Sequence, residues 1–285
     1  MIEIGNTGLG KETIDQLAKH DPSHIYLAAR TPSKGEAAVA DVKKANPSAN
    51  VTFLPLDLAS FDSISSAAKE FTAKSERLDV LLNNAGVMAL PPSTTKEGYE
   101  IQFGTNHVGH ALLTKLLLPT MLSTAQQPGS DVRIVNLTSE GHKFAPSSGL
   151  KLDKADLDKE GTWARYGHSK LANILFTREL AARYPSITSV AVHPGVIKTD
   201  LYAPNQTSSM FMKYGMMVFG PLMKTVVTGA YNQLWATTTK KDELKNGAYY
   251  TPIGSESKGS GNAQNQSLSK ELWDWTEKTL SSKGY

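Results

Sequence analysis

Gly5-Asn6-Thr7-Gly8-Leu9-Gly10 stands between a short apolar start, Met1-Ile2-Glu3-Ile4, and Lys11-Glu-Thr-Ile-Asp-Gln-Leu-Ala18, where Ile14, Leu17 and Ala18 recur at helical spacing. Strand, glycine turn and helix in that order open a dinucleotide-binding α/β fold. Glycines let a backbone approach a pyrophosphate, and a helix N-terminus offers it unpaired N–H groups and a positive dipole. A glycine-rich turn is also an ordinary loop, so the rest of the chain has to decide.

Outward from that turn, strand and helix alternate. His24-Ile-Tyr-Leu-Ala-Ala29 reads as a buried strand ending at Arg30, twenty residues past Gly10. A dinucleotide fold places there the group that meets the adenosine ribose, acidic for a free 2′-hydroxyl and arginine for a 2′-phosphate. Arg30, helped by Lys34, therefore argues for NADP; the plain alternative is a surface arginine after a strand. Helix 33–46, strand 51–56 and helix 60–75 follow, with Asp57-Leu58 at a strand end, where Asp57 accepts from adenine or caps a turn. Strand 78–82 runs into Asn83-Asn84-Ala85-Gly86, small and polar where ligands sit.

Residues 96–123 read as helix and include Asn106-His107-Val-Gly-His110. Two histidines three apart with no third ligand argue against a metal site. A strand over 131–138 ends at Ser139, and the polar stretch 141–160 reads as an excursion loop. Helix 163–184 carries Tyr166-Gly-His-Ser-Lys170, with Tyr166 and Lys170 four apart on one face. A nearby cation favours phenolate, which suits a general acid or base; the alternative is a solvated helix face. After strand 187–192 come Pro194-Gly195, Ile197 and Thr199. Residues 202–223 are rich in methionine and aromatics and fit an apolar lid over a substrate, a surface touching membrane through 210–223, or an ordinary packed helix. Helix 224–239, strand 248–251 and a helix around 272–275 close a single domain over 1–285. The fold class is α/β, a doubly wound parallel sheet of about seven strands.

Basic and acidic residues number 30 and 27, spread along the chain with no basic run, so nucleic acid is not a partner. There is no cysteine, which excludes disulfides, thiolate catalysis and cysteine zinc sites. The start has neither a basic leader nor a long apolar segment, and a cytoplasmic address is the default expectation.

Taken together, Gly8-x-Gly10, Asn83-Asn-Ala-Gly86, Asn106, Ser139, Tyr166-x-x-x-Lys170 and Pro194-Gly195 resemble the short-chain dehydrogenase/reductase family over essentially the whole chain. The Asn106-His-Val-Gly-His110 form and Ile134-Val-Asn-Leu-Thr-Ser139 look most like the branch containing retinol dehydrogenases and the WW-domain oxidoreductase. The resemblance implies Tyr166 as proton donor and acceptor, Ser139 bonding the substrate oxygen, Lys170 on the nicotinamide ribose, and Asn106 positioning a relay water. It also implies cofactor contacts from Gly5, Thr7, Gly8, Leu9, Gly10, Arg30, Lys34, Asp57, Leu58, Asn84, Ala85, Gly86, Ile197 and Thr199. The expected substrate is a small apolar ketone, aldehyde or alcohol, such as a lipid, retinoid, steroid or secondary-metabolite intermediate. A catalytically impaired relative acting through protein contacts is the competing expectation, and oligomer formation is open.

One departure stands out. Where the family has Thr-Gly-x-x-x-Gly-x-Gly, this chain has Glu3-Ile4-Gly5-Asn6-Thr7-Gly8-Leu9-Gly10, so Ile4 replaces the first glycine. The expectation is a strained turn unless Gly5 takes over, and a shortened central strand that leaves its neighbours partly unpaired.

Overall fold

The structure, a computed structural model, describes residues 1–197 and 224–285. Its spine is an eight-stranded sheet in the order β3-β2-β1-β4-β5-β6-β7-β8. The strands are β1 (Ile2–Ile4), β2 (Ile25–Ala29), β3 (Val51–Pro55), β4 (Val80–Asn83), β5 (Arg133–Leu137), β6 (Thr188–Val192), β7 (Tyr249–Thr251) and β8 (Ser255–Ser257). The first seven run parallel, in the order 3-2-1-4-5-6-7 that the family resemblance implies. The eighth is a short antiparallel hairpin partner of β7. Seven strands were expected; Ser255-Glu256-Ser257 escapes sequence reading because an exposed polar edge strand has no apolar alternation to betray it.

Buried parallel strands are apolar on both faces, and the alternation of side chains sends them to two layers. On one side Ile2, Ile4, Tyr26, Leu81, Ile134 and Tyr249 join the helices α3 (Phe61–Lys74), α5 (His110–Ala125) and α7 (Thr162–Arg183). On the other, Ile25 and Leu27 meet α1 (Gly8–Leu17) and α2 (Pro32–Ala45). There, too, Val135 and Val190 meet α8 (Val226–Thr238). The closing helix α9 (Gln266–Ser281) lies across α5 and α7. Trp273 stacks on Phe176 at 5.5 Å and Glu277 pairs with Lys115 at 2.7 Å. Among the described residues no helix is long and apolar enough to cross a membrane.

Three local differences from the sequence reading have physical causes. The helix expected from residue 96 starts at α4 (Ile101–Phe103), because Thr94 and Glu100 bridge around a turn whose Gly98 has φ +91°. Between α4 and α5, Gly104–Gly109 forms one π-helical segment. The 141–160 excursion holds a 3-10 turn at Glu140–Phe144 and the short helix α6 (Lys154–Asp158).

β1 is three residues long yet pairs with both neighbours, Ile2 with Tyr26 and Leu81, and Glu3 with Leu27 and Leu82. The backbone bonding continues past it, since Tyr26 N–H donates to the Met1 carbonyl at 2.9 Å and the Met1 ammonium to the His24 carbonyl at 3.0 Å.

Candidate active site

The strand ends deliver two backbones to one place. Ile4 remains in β1, and its carbonyl accepts from Asn84 Nδ2 at 2.8 Å. Gly5, at φ +150°, makes the turn in its stead, so the feared strain at Ile4 does not arise. Gly8 enters α1 at φ +55°. At Gly10 a Cβ would stand 2.7 Å from Asn84 Nδ2 and 2.9 Å from the Gly5 carbonyl, contacts no side chain tolerates. Thr7 precedes α1 without a side-chain cap, which leaves the first-turn amides open for an anion.

Beneath this turn sits a group that sequence reading passed over. Glu3 is fully buried, neither carboxylate oxygen has a hydrogen-bond partner, and Oε1 would lie 2.8 Å from a Cβ at Gly10. Burial pushes its pKa well above the usual carboxylate range, which favours the protonated form.

α7 presents Tyr166 and Lys170 to the same cavity as the turn. Lys170 is buried, donates through Nζ to the Leu137 carbonyl at 3.2 Å, and lies 5.9 Å from the centroid of the Tyr166 ring. Burial pushes the Lys170 ammonium down to about 8. Thr138 fixes the helix by donating to the Lys170 carbonyl at 2.7 Å. Trp163 meets the Tyr166 ring edge-on at 6.1 Å, and Met88 and Ala89 pack with them.

Ser139 follows β5 in extended conformation, and its Oγ accepts from Gly141 N–H at 3.0 Å. One lone pair is thereby occupied and the hydroxyl proton is left to donate. His142 holds the Ser139 carbonyl through Nδ1–H at 2.7 Å while its Nε2 accepts from Ser260 N–H at 3.1 Å. Gly141 separates serine from tyrosine, since a Cβ there would stand 3.2 Å from Ser139 Oγ and 2.9 Å from Tyr166 Cε1.

Asn106 lies in the π-helical segment, fully buried. Its Oδ1 accepts from Val87 N–H at 2.8 Å, and Nδ2 donates to the Val87 carbonyl and to Ser169 Oγ, both at 2.9 Å. Its carbonyl accepts from His110 Nδ1 at 2.9 Å. The side chain thus braces the loop after β4. His107 and His110 are core residues, held neutral by burial with pKa values of about 3 and about 4.

These elements close around one cavity of about 260 Å³, lined by Gly5, Thr7, Leu9, Asn84, Ala85, Gly86, Tyr166 and Lys170 among the residues singled out above. Asn6, Val87, Leu137, Thr138 and Pro194 complete it. Of these, Asn6, Val87, Leu137 and Thr138 were not expected as site residues, although each adjoins a motif residue in sequence. Gly86 sits between the π-helical segment and α7, for a Cβ there would be 3.0 Å from Asn106 Oδ1 and 3.4 Å from Lys170 Nζ.

Ser139, Asn106, Gly8 and Gly10 adjoin lining residues without lining the cavity themselves, and other expected residues lie outside it as well. Arg30 and Lys34 are exposed just past β2 and in the first turn of α2. Asp57 caps a turn, its Oδ1 accepting from Ala59 N–H at 2.9 Å. Leu58 is buried against Gly109, where a Cβ would stand 2.4 Å from its carbonyl oxygen. Ile197 packs on Gly229, whose missing Cβ also makes room for Leu9. Thr199, the expected lid over 200–223 and the 210–223 membrane surface lie outside the described residues.

Residues 2–150, more than half of the chain, match the family model for short chain dehydrogenase. The chain belongs to the short-chain dehydrogenase/reductase family. Within that family it is 37% identical over 299 residues to short-chain dehydrogenase/reductase drtF of Aspergillus calidoustus, covering 98% of this chain and 92% of the relative. It is 36% identical over 279 residues to retinol dehydrogenase 12 of Homo sapiens, covering 96% and 83%. A crystal structure of a putative uncharacterized protein from Mycobacterium paratuberculosis superposes with a TM-score of 0.71 at 29% identity, covering 97% of this chain and 91% of that one. This short-chain dehydrogenase/reductase is accordingly an oxidoreductase acting on small molecules, in the retinol dehydrogenase-like branch.

Proposed function

We propose that the protein is an NADP(H)-dependent oxidoreductase that interconverts a ketone or aldehyde and an alcohol on a small, largely apolar molecule. The observation that carries this reading is the placement of Tyr166 and Lys170 across one cavity from the glycine turn and the Asn84–Val87 loop. The close approaches at Gly5 and Gly10 and the open first turn of α1 suit a pyrophosphate. Arg30 and Lys34 suit a 2′-phosphate, and neither has an acidic partner among the described residues. Asp57, Leu58 and Ile197 are assigned to its adenine and carboxamide ends on the family resemblance alone.

A nicotinamide bound here supplies or accepts hydride. Tyr166 donates its phenolic proton to the substrate oxygen in reduction and takes it back in oxidation. Ser139 donates to the same oxygen, because Gly141 already occupies the opposite side of Oγ. Lys170 stabilises the phenolate as a nearby cation and is still mostly charged at neutral pH. Asn106 keeps the cofactor wall and the Tyr166 helix in fixed relation through Val87 and Ser169. Both Nδ2 hydrogens of Asn106 are engaged, so a relay water of the kind the family resemblance implies would have to meet a remaining lone pair of Oδ1 or of the main-chain carbonyl.

The aromatic pair Phe144 and Trp163 beside Tyr166 favours an apolar substrate; the rings lie 6.3 Å apart and Phe144 is 59% exposed. The test is a panel of steroids, retinoids and polyketide-like ketones, with NADPH oxidation as readout and Tyr166→Phe as control. Reduction that vanishes in the folded variant is the expected result. NADPH binding with no turnover on any carbonyl would favour a catalytically silent, protein-binding relative instead.

A further inference from the structure

A second, wider cavity of about 860 Å³ lies away from the catalytic pair. Arg178 stands twelve residues beyond Tyr166 on α7, about 18 Å along the axis at roughly 1.5 Å per residue. α7 forms one wall, the turn entering β7 and the edge strand β8 form the second, and the first turn of α9 forms the third.

Arg178 is half-buried, its Nε is buried without a hydrogen-bond partner, and the guanidinium has no ion pair among the described residues. Burial alone lowers its pKa. Both acidic side chains of the cavity are already taken, Glu179 by Arg183 Nε at 2.9 Å and Glu256 by Lys245 Nζ at 2.7 Å. Lys258 on the β8 side and Lys270 on α9, both exposed, have no acidic partner among the described residues either. A buried donor left unpaired is unfavourable, and here the Arg178 guanidinium faces a space that the exposed Lys258 and Lys270 border from the other two walls.

We propose that this groove binds the phosphomonoester group of an anionic ligand. A guanidinium presents its donors as a fork that matches two phosphate oxygens, and the lysines add point charges for the third. A carboxylate, with two oxygens, would satisfy Arg178 and leave the lysines on the other walls unused. Ser257 and Gln264 add neutral hydrogen-bonding groups to the lining, whereas the buried Ser269 hydroxyl already donates to the Asn265 carbonyl. The site stands on residues that take no part in the redox reading.

The test uses the full chain and two probes carrying the same group, glycerol 3-phosphate followed by calorimetry against glycerol at matched ionic strength, and phosphatidate-doped phosphatidylcholine vesicles followed by co-sedimentation. Arg178→Gln is expected to weaken binding about 10- to 100-fold, the loss of one charge-assisted contact. Arg178→Lys, which keeps the charge without the fork, should fall between. Lys96→Gln, which removes an exposed cation that lines no part of the groove, should bind as the unaltered protein does. Binding of the soluble ester alone identifies a free metabolite, and binding of the vesicles identifies a lipid headgroup; either supports the site. No binding of either probe, or binding that Arg178→Gln leaves unchanged in a variant with an unaltered melting temperature, overturns it.

Discussion

Asn84 donates through Nδ2 to the Ile4 carbonyl over 2.8 Å, so the loop after β4 is tied to the strand that feeds the glycine turn. The same nitrogen fills the space where Gly5 and Gly10 lack a Cβ. The two halves of the proposed cofactor site are thus held by one amide, and α7 joins them through Lys170 and Gly86.

Lys170→Met should separate stability from function. Lys170 titrates at about 8 when folded and near 10.5 when unfolded, so its burial is unfavourable below pH 8, where both states carry the proton. That penalty shrinks as pH rises from about 8 to 10.5, because the folded state gives up its proton first. The variant is expected to be more stable at pH 7 by on the order of 1–3 kcal/mol, with turnover lowered about 100-fold or more. Denaturant unfolding at pH 7 and pH 10 checks it; a variant less stable at pH 7 refutes the argument.

Glu3→Gln should flatten the pH dependence of stability. Unfolded, Glu3 ionises near 4.5; folded, burial keeps it protonated to well above that. The folded state therefore holds the extra proton, and stability falls as pH rises from 4.5 towards the folded pKa. Melting temperatures of the two proteins at pH 5 and pH 8 should diverge, with the variant ahead at pH 8. Parallel curves would show that the carboxyl costs nothing there.

Arg30→Ala should erase the preference for NADPH over NADH. Losing one charge-assisted contact costs about 1.5–3 kcal/mol, or 10- to 100-fold in kcat/KM with NADPH, with little change for NADH. Equal use of both cofactors by the unaltered protein would rule out the role given to Arg30.

Gly141→Ala should slow the chemistry more than it harms folding. The added methyl meets the Tyr166 ring at 2.9 Å and Ser139 Oγ at 3.2 Å, so it pushes apart the two groups that must share one substrate oxygen. A fall in kcat of at least about tenfold with a melting temperature close to the original is expected. Unchanged kcat would mean that Ser139 and Tyr166 do not act on the same atom.

The sheet was legible because parallel strands buried on both faces read as apolar runs, as at 24–29 and 131–138, and because glycine, Asn84 and Tyr166 mark the strand ends. What stayed hidden was set by contacts distant in sequence. Glu3 looks like an ordinary polar residue in a short strand, and only its packing under Gly10 reveals a neutral carboxyl. Asn106 was legible as a site residue, but not as a brace, since its partners Val87 and Ser169 lie 19 and 63 residues away. The occupied side of Ser139 depends on the fold of residues 140–144, which read as loop.

The π-helical segment has one more consequence. Gly104–Gly109 carries a residue more than an α-helical path of the same rise, so it works as a phase adjuster between α4 and α5. Each residue of an α-helix turns the chain by about 100°. Deleting a single residue from the segment would rewind it as plain α-helix over nearly the same rise, so α4 and α5 would keep their phase while the residues inside the segment, Asn106 among them, would turn about the axis. Gln102, which accepts from Ala89 N–H at 2.8 Å and donates to the Thr162 carbonyl at 3.0 Å, would stay where it is, but Asn106 would turn away from Val87, and the loop from Val87 to Ala89 would lose one of its two anchors.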